Sequence, residues 1–289
     1  MNILLAFDSF KGCLPAERVC DEFASGVRRA LPDAAIQRMP LADGGEGTVS
    51  ALCRAGGFAE RTVRGVCGPL PGQRVAAGYG WRAADRTAVV EMAAASGLPL
   101  VPPGRRNPLR TTTYGTGEVL AAVARAGAGR LVLGLGGSAT VDGGTGAARA
   151  LGWQFLDRAG EPLPLGGGAL PDLWRIVPPA SAVLPSEVEV LCDVSNPLLG
   201  CDGAAAVFGP QKGAGPDMVA VLETGLSVLA ERLAADCGRD VRSIPGGGAA
   251  GGFGAGAVAF LGGHLVSGAE TVCRVAGLER AVAEADWVV

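Results

Sequence analysis

Residues 130–147 read RLVLGLGGSATVDGGTGA, a short apolar run followed by a loop with six glycines. The apolar run has no helical spacing and predicts a buried strand. Glycine so dense after a strand lets backbone N–H groups turn toward an anion, most often a phosphate. A tight turn that binds no ligand is the competing interpretation. The candidate ligand-binding residues of the loop are Gly136, Gly137, Ser138, Thr140, Asp142, Gly143 and Gly144.

The composition favours a globular protein that binds small molecules. Of the 289 residues, 48% are apolar and 18% charged, and no apolar run reaches the ~18 residues of a membrane span. The net charge of −3 and the scattered basic residues disfavour a nucleic-acid surface. Eight cysteines without a C-x-x-C pair, and a start that resembles a strand rather than a signal peptide, predict reduced thiols and a cytoplasmic protein. The oligomeric state stays open between monomer and homodimer.

Lysine is rare in this chain. Among 25 basic residues only Lys11 and Lys212 are lysines, and each is followed by glycine. A compact ammonium group beside glycine is a common phosphate contact, so we expect both lysines to bind a phosphate or a carboxylate. The single histidine, His264, lies in a glycine turn and is expected to be structural.

Acidic residues follow three predicted strands. Asp8 follows residues 2–7, Asp43 follows residues 34–39, and Asp193 follows residues 188–192. Because the carboxyl ends of parallel strands converge on a ligand cleft, Asp193 is our first candidate to act near a transferred proton or Mg²⁺, with Asp8 and Asp43 as alternatives. Each of them could instead be a turn or cap residue. The neighbouring binding candidates are Ser9, Gly44, Gly45, Glu46 and Asn196.

The sequence pattern changes near residue 64. Residues 61–66, 74–81 and 87–92 read as strands without intervening helices, which predicts hairpins and a second domain. We therefore expect domains over residues 1–64 and 65–275, with residues 276–289 returning to the first.

Three longer helices are expected in the second domain, besides a short one over residues 147–151. Thr116 is expected to cap a helix over residues 118–126. An amphipathic helix is expected over residues 216–235, and a glycine loop at residues 245–252 opens one over residues 254–261.

The motifs favour phosphoryl transfer. There is no Walker A motif, no H-E-x-x-H and no cluster of Cys and His ligands, and a serine hydrolase would lack a well-placed base. Glycine loops, isolated lysines and carboxylates at strand ends are the parts that ATP-dependent transfer with Mg²⁺ uses.

Two other functions stay open at this point. Residues 134–139 fit the G-x-G-x-x-G/A dinucleotide fingerprint, with Asp157 further along, so an NAD(P)-dependent oxidoreductase ranks second. A non-catalytic glycine-rich binding domain ranks third.

Eight motifs in order give a more specific indication. They are FDSFKG, LADGGEGT, ASGLPLV, NPLRTTTYGTGE, LGLGGSATVDGGTG, CDVSNPLLG, VFGPQKGA and PGGGAAGGFGAG, and together they closely resemble the bacterial type-1 glycerate kinase family. The resemblance implies phosphorylation of D-glycerate by ATP, typically at the 2-hydroxyl. It also implies two α/β domains, one Rossmann-like and one larger and flavodoxin-like, with the active site between them.

The resemblance carries one expectation about the end of the chain. Family members continue beyond the strand at residues 286–289 into further α/β elements, so we expect the Rossmann-like domain to be incomplete here. The first strand would then have an exposed apolar edge, and catalysis would be weak or absent. The second domain is expected to hold its own core.

Overall fold

The protein is a two-sheet α/β structure, described by a computed structural model over residues 1–10, 13–55 and 57–289. In chain order, its strands and helices are β1 (Asn2–Phe7), α1 (Ala16–Ala30), β2 (Ala35–Pro40), α2 (Thr48–Ala55), β3 (Ala59–Cys67), β4 (Arg74–Arg82), β5 (Thr87–Glu91), α3 (Ala93–Ser96), α4 (Tyr114–Arg125), β6 (Arg130–Gly134), α5 (Thr145–Ala150), β7 (Gln154–Leu156), β8 (Arg175–Val177), β9 (Glu187–Leu191), α6 (Ala204–Phe208), α7 (Pro216–Cys237), α8 (Ala249–Leu261), β10 (His264–Val266), α9 (Gly268–Ala276), α10 (Leu278–Glu284) and β11 (Trp287–Val288). In the part of the chain so described, no helix has both the length and the apolar character to span a membrane.

The larger sheet has six strands in the order β10-β9-β6-β5-β4-β3. Strand β6 lies inside it and pairs in parallel with β5 and β9. Leu131 and Leu133 of β6 are fully buried. A strand inside a sheet that helices cover has no solvent-exposed face, and this accounts for its run of apolar residues. The predicted buried strand and the α/β class are confirmed.

The hairpin strands β3 and β4 form the antiparallel edge of this sheet. Their register shifts between Arg64 and Val66, where Gly65 has a φ of +74°. The change of pattern near residue 64 thus coincides with a bulge inside β3, because glycine adopts this left-handed conformation without a clash. Residue 64, the predicted domain boundary, lies inside the larger sheet.

The smaller sheet has the order β11-β1-β2, with both pairings parallel. Ile3 and Leu5 of β1 pack with Ala24 of α1, whereas Leu4 packs with Ala281 of α10 on the other face. β1 is therefore the central strand, and the expectation that it has an exposed edge is wrong. The exposed apolar side chains are on β11, where Trp287 is 63% exposed.

One helix that packs on the larger sheet begins earlier than the sequence pattern predicts. Helix α4 begins at Tyr114, and Thr116 is buried inside it with its hydroxyl 2.8 Å from Ser96 Oγ, so the prediction that Thr116 is the cap is wrong. The residue before the helix is Thr113, whose N–H donates a hydrogen bond to the carboxylate of Asp142 at 2.8 Å. Residues 250–252 of α8 have left-handed backbone angles, so its regular right-handed part begins at residue 253, next to the predicted start at residue 254.

Candidate active site

A cleft of about 850 Å³ lies where strands of both sheets end. Segments that follow β1, β2, β6 and β9 contribute to its wall, as do residues at the end of the 3₁₀ turn after α6 and at the start of α8. Such a position, outside the carboxyl ends of parallel strands, is where α/β proteins bind ligands. The predicted residues that line it are Ser9, Asp43, Gly45, Glu46, Gly136, Gly137, Ser138, Asp193 and Lys212.

Other predicted residues lie outside the described lining of this cleft: Asp8, Gly44, Thr140, Asp142, Gly143, Gly144 and Asn196. Asp8 accepts a hydrogen bond from the N–H of Ser9 at 2.5 Å. The side-chain nitrogen of Asn196 donates to the carbonyl of Asp202 at 2.9 Å. Lys11 lies outside the residues that the structure describes.

The first glycines of the loop after β6 pack against the turn after β2. A Cβ added to Gly136 would lie 2.3 Å from Gly45 Cα, and one added to Gly134 would lie 2.4 Å from the carbonyl oxygen of Gly44. The N–H of Gly136 also donates to the carbonyl of Gly44 at 3.2 Å. Glycine is needed here because two backbones touch, and this contact brings both turns to the same cleft.

Lys212 reaches the loop from the turn after α6. Its side chain is 2% exposed, and its Nζ donates to Ser138 Oγ and to the carbonyl of Thr140, both at 2.7 Å. Burial lowers the pKa of Lys212 to about 7, although the charge of Asp142 acts in the opposite direction. The amine thus lies in the cleft wall with two neutral partners.

The later part of the same loop is built into the core. Asp142 is fully buried and accepts hydrogen bonds from the N–H and hydroxyl of Thr113 at 2.8 and 2.9 Å and from the N–H of Gly144 at 3.1 Å. Burial raises its pKa. Gly144 has a φ of +78°, and a Cβ there would lie 2.2 Å from the ring of Phe253. These residues hold the turn that starts α5.

Asp193 has a structural role as well as a place in the cleft wall. Its carboxylate accepts hydrogen bonds from Ser267 Oγ at 2.7 Å and from the N–H groups of Gly268 and Ala269 at 3.0 and 2.9 Å. It therefore caps the N-terminus of α9, which the sequence pattern left open as an alternative.

Asp43 and Glu46 are the carboxylates that the turn after β2 brings to the cleft. Asp43 accepts a hydrogen bond from the N–H of Gly45 at 3.0 Å, which shapes its own turn. Glu91, which the sequence reasoning missed, lies outside the described lining of the cleft; it accepts a hydrogen bond from the N–H of Val49 at 2.5 Å beneath α2, and burial raises its pKa. Its place at the end of β5 was the signal that could have found it.

The cleft also has an apolar part that the sequence reasoning missed. Ala250, which lines the cleft, has a φ of +54° although it is not glycine. Such a left-handed conformation is uncommon in residues other than glycine. The two residues that follow, Gly251 and Gly252, have the same conformation. Other lining residues that were missed include Phe10, Leu98, Pro99, Leu135 and Phe208.

No group of three or more His, Cys, Asp or Glu among the described residues could hold a metal ion by itself. Magnesium that accompanies a nucleotide takes only one or two protein carboxylates, because phosphate and water supply the other ligands. Asp43 and Asp193 in the cleft wall therefore fit such an ion.

Two sheets whose strands end at one cleft, with carboxylates, a glycine loop and a buried lysine in its wall, are typical of an α/β enzyme of the small-molecule kinase class. The sequence profile described as "Glycerate kinase family" matches residues 3–289. The chain belongs to the glycerate kinase family.

Individual relatives agree over the whole chain. It is 45% identical to "Glycerate kinase" of Halalkalibacterium halodurans and 44% identical to "Glycerate 2-kinase" of Escherichia coli K12, covering 100% of this chain and 76% of each relative. A crystal structure from Salmonella typhimurium LT2, provisionally named glycerate kinase 2, matches with a TM-score of 0.85 and 46% identity over 100% of this chain and 77% of that chain.

Proposed function

We propose that this protein transfers the γ-phosphoryl group of ATP to D-glycerate, at the 2-hydroxyl, in the cleft between the two sheets. Family membership supports the reaction class. The observation in the structure that carries the proposal is the convergence of a glycine loop, a buried lysine and two strand-end aspartates on one cleft. A cytoplasmic location and a requirement for Mg²⁺ are parts of the same proposal.

Binding of the anionic groups falls to the glycine loop and Lys212. The N–H group of Gly137, together with the Lys212 amine, is a donor of the kind that a phosphate or a carboxylate needs, whereas the N–H of Gly136 is already bonded to the carbonyl of Gly44. Phosphoryl transfer depends mostly on such positioning and on charge stabilisation, since the transition state carries charge on the transferred oxygens.

The carboxylates divide the remaining work. Asp193 stays our first candidate to orient the hydroxyl of glycerate or to accept its proton, and its three hydrogen bonds fix its orientation. Asp43 is the alternative, and either residue could hold Mg²⁺. When bound, Mg²⁺ would neutralise charge on the phosphate groups.

Hydride transfer is not favoured. The dinucleotide fingerprint needs a helix that opens at the glycine loop, so that its N-terminus faces the pyrophosphate. Here the next helix, α5, begins only at Thr145, behind the buried turn at Asp142.

The proposal is tested by following ADP release with D-glycerate, L-glycerate, hydroxypyruvate and glycerol as alternative acceptors. Phosphorus NMR of the product then distinguishes 2-phosphoglycerate from 3-phosphoglycerate. We expect D-glycerate to be preferred and the 2-phosphate to form. Absence of turnover with D-glycerate would contradict the proposed substrate, and the 3-phosphate would contradict the proposed position.

A further inference from the structure

The buried amine of Lys212 has an incomplete set of partners. An ammonium group has three N–H donors, and two of them bond to Ser138 Oγ and the carbonyl of Thr140. The third has no hydrogen-bond partner among residues 1–10, 13–55 and 57–289, and Lys212 forms no ion pair there. Since Lys212 is a lining residue, this amine is a buried basic group in the cleft wall.

The charged groups near Lys212 neutralise the positive charge of its ammonium form only in part. Asp142 acts on it through space, without a hydrogen bond between them, and its carboxylate is occupied by Thr113 and Gly144. The guanidinium of Arg106, which donates to the carbonyl of Gln211 at 3.3 Å, adds positive charge to the same turn. The remaining carboxylates of the cleft wall are Asp43, Glu46 and Asp193.

A buried ammonium group without an ion pair is unstable relative to two alternatives. It can lose its proton, or it can gain an anionic partner. Without a ligand in the cleft, burial favours loss of the proton. A bound anion favours the ammonium form, because the anion stabilises its charge.

We propose that Lys212 and Ser138 form an oxyanion site in the cleft wall, and that Lys212 takes up a proton when a carboxylate or phosphate oxygen binds there. The inference rests on the proposed function for the identity of the anion, which is the carboxylate of glycerate or a phosphate of the nucleotide. The neutral amine gains one proton from the solvent, and no covalent bond to the ligand forms. The resulting ammonium group donates to the ligand.

Ser138 completes the site. When the ammonium of Lys212 donates to Ser138 Oγ, the hydroxyl hydrogen of Ser138 is available to the same ligand oxygen. Ser138 thus contacts the ligand and Lys212 both contacts it and orients the hydroxyl. The pKa of Lys212, lowered to about 7 by burial, means that the free amine is about half protonated at neutral pH.

Isothermal titration calorimetry measures this proton directly. Binding of D-glycerate alone and of ADP alone is titrated at pH 7 in two buffers with different ionisation enthalpies. We expect an uptake of about 0.5 proton with the ligand that occupies the site, rising toward one proton at pH 8 and falling toward zero at pH 6. The two titrations distinguish a carboxylate from a phosphate as the occupant.

Variants separate this proton from protons of the ligand itself. Lys212→Met should abolish the uptake, and Lys212→Arg should also abolish it while retaining positive charge, since arginine does not lose its proton. Ser138→Ala should weaken binding but retain the uptake. Arg125→Met removes an exposed charge of α4 outside the cleft and should change neither quantity.

Uptake that is zero with both ligands, or that persists in Lys212→Met, would overturn the proposal, as would failure of both ligands to bind. Turnover distinguishes this failure from that of the proposed function. If D-glycerate is phosphorylated and no Lys212-dependent proton is taken up, only the oxyanion site fails. If ADP shows the uptake and D-glycerate is not a substrate, the site stands and the proposed substrate fails.

Discussion

The sequence D-G-G-x-G occurs twice, at residues 43–47 and 142–146, and the two copies lie in different environments. In both copies the aspartate accepts a hydrogen bond from the N–H two residues later. Asp43 is half-buried in the cleft wall, whereas Asp142 is fully buried, and the two glycines after it lie beneath α7 and α8. The local turn is thus set by the motif, but its role depends on what packs over it.

The largest expected effect is loss of stability from the buried copy. Asp142→Ala leaves the donors of Thr113 and Gly144 without acceptors in the core, so we expect the free energy of unfolding to fall by roughly 3 kcal/mol or more. Asp43→Ala is the matched change in the other copy and should lower it by less. Denaturant unfolding measures both, and equal losses would contradict the contrast.

The reverse contrast is expected for catalysis. Asp43→Asn and Asp193→Asn should each lower kcat/KM by tens-fold or more, roughly 2 kcal/mol of transition-state stabilisation, because both carboxylates line the cleft. Asp157→Asn alters a half-buried turn aspartate that lies outside the described cleft lining and accepts from two backbone donors, and it serves as the control. A variant at Asp43 or Asp193 that folds and turns over normally would exclude that residue from the reaction.

Lys212, whose burial lowers its pKa against the charge of Asp142 in the buried copy, should make the stability depend on pH. Its pKa is about 7 in the folded chain and near 10.5 in the unfolded chain, so the unfolded chain binds more protons above pH 7. The free energy of unfolding should therefore rise with pH, by about 1.5 kcal/mol between pH 7 and 8.5. Lys212→Met should lack this contribution, and identical pH profiles for the two proteins would show that it is absent.

The smallest effect is expected at a glycine of the cleft-facing part of the loop. Gly137 and Gly127 both have a positive φ, and Ala at either should lower stability by about 1 kcal/mol. Only Gly137 lines the cleft, so only Gly137→Ala should also weaken ATP binding, and the larger Gly137→Val should abolish it. Retained ATP affinity in both Gly137 variants would mean that the loop does not bind the nucleotide.

Local patterns predicted the strands well because apolar runs and turn residues act at short range. Strand β6, helix α7 and the succession of β3, β4 and β5 without helices between them all follow from such runs. The domain boundary near residue 64 was inferred from strands without intervening helices, a pattern that the antiparallel edge of a mixed sheet also produces, and it stays a prediction.

The site was predictable only to the level of its segments. The sequence brought Asp43, Lys212 and the glycine loop into one hypothesis, and the structure places all three at one cleft. It did not divide the loop into a part that faces the cleft and a buried part, because Leu229 and Phe253, which cover Gly143 and Gly144, come from distant helices. The same distance in sequence hid which helix Asp193 caps, since α9 begins 75 residues later.

That cap gives Asp193 two separate reasons to be retained in evolution. Loss of its carboxylate would remove a group from the cleft and also release the first turn of α9, the helix through which the chain returns to the smaller sheet. Few residue types can satisfy both requirements, because an asparagine keeps only one of the two acceptor oxygens. Among homologues, this position should therefore vary less than a cap residue or a cleft residue alone.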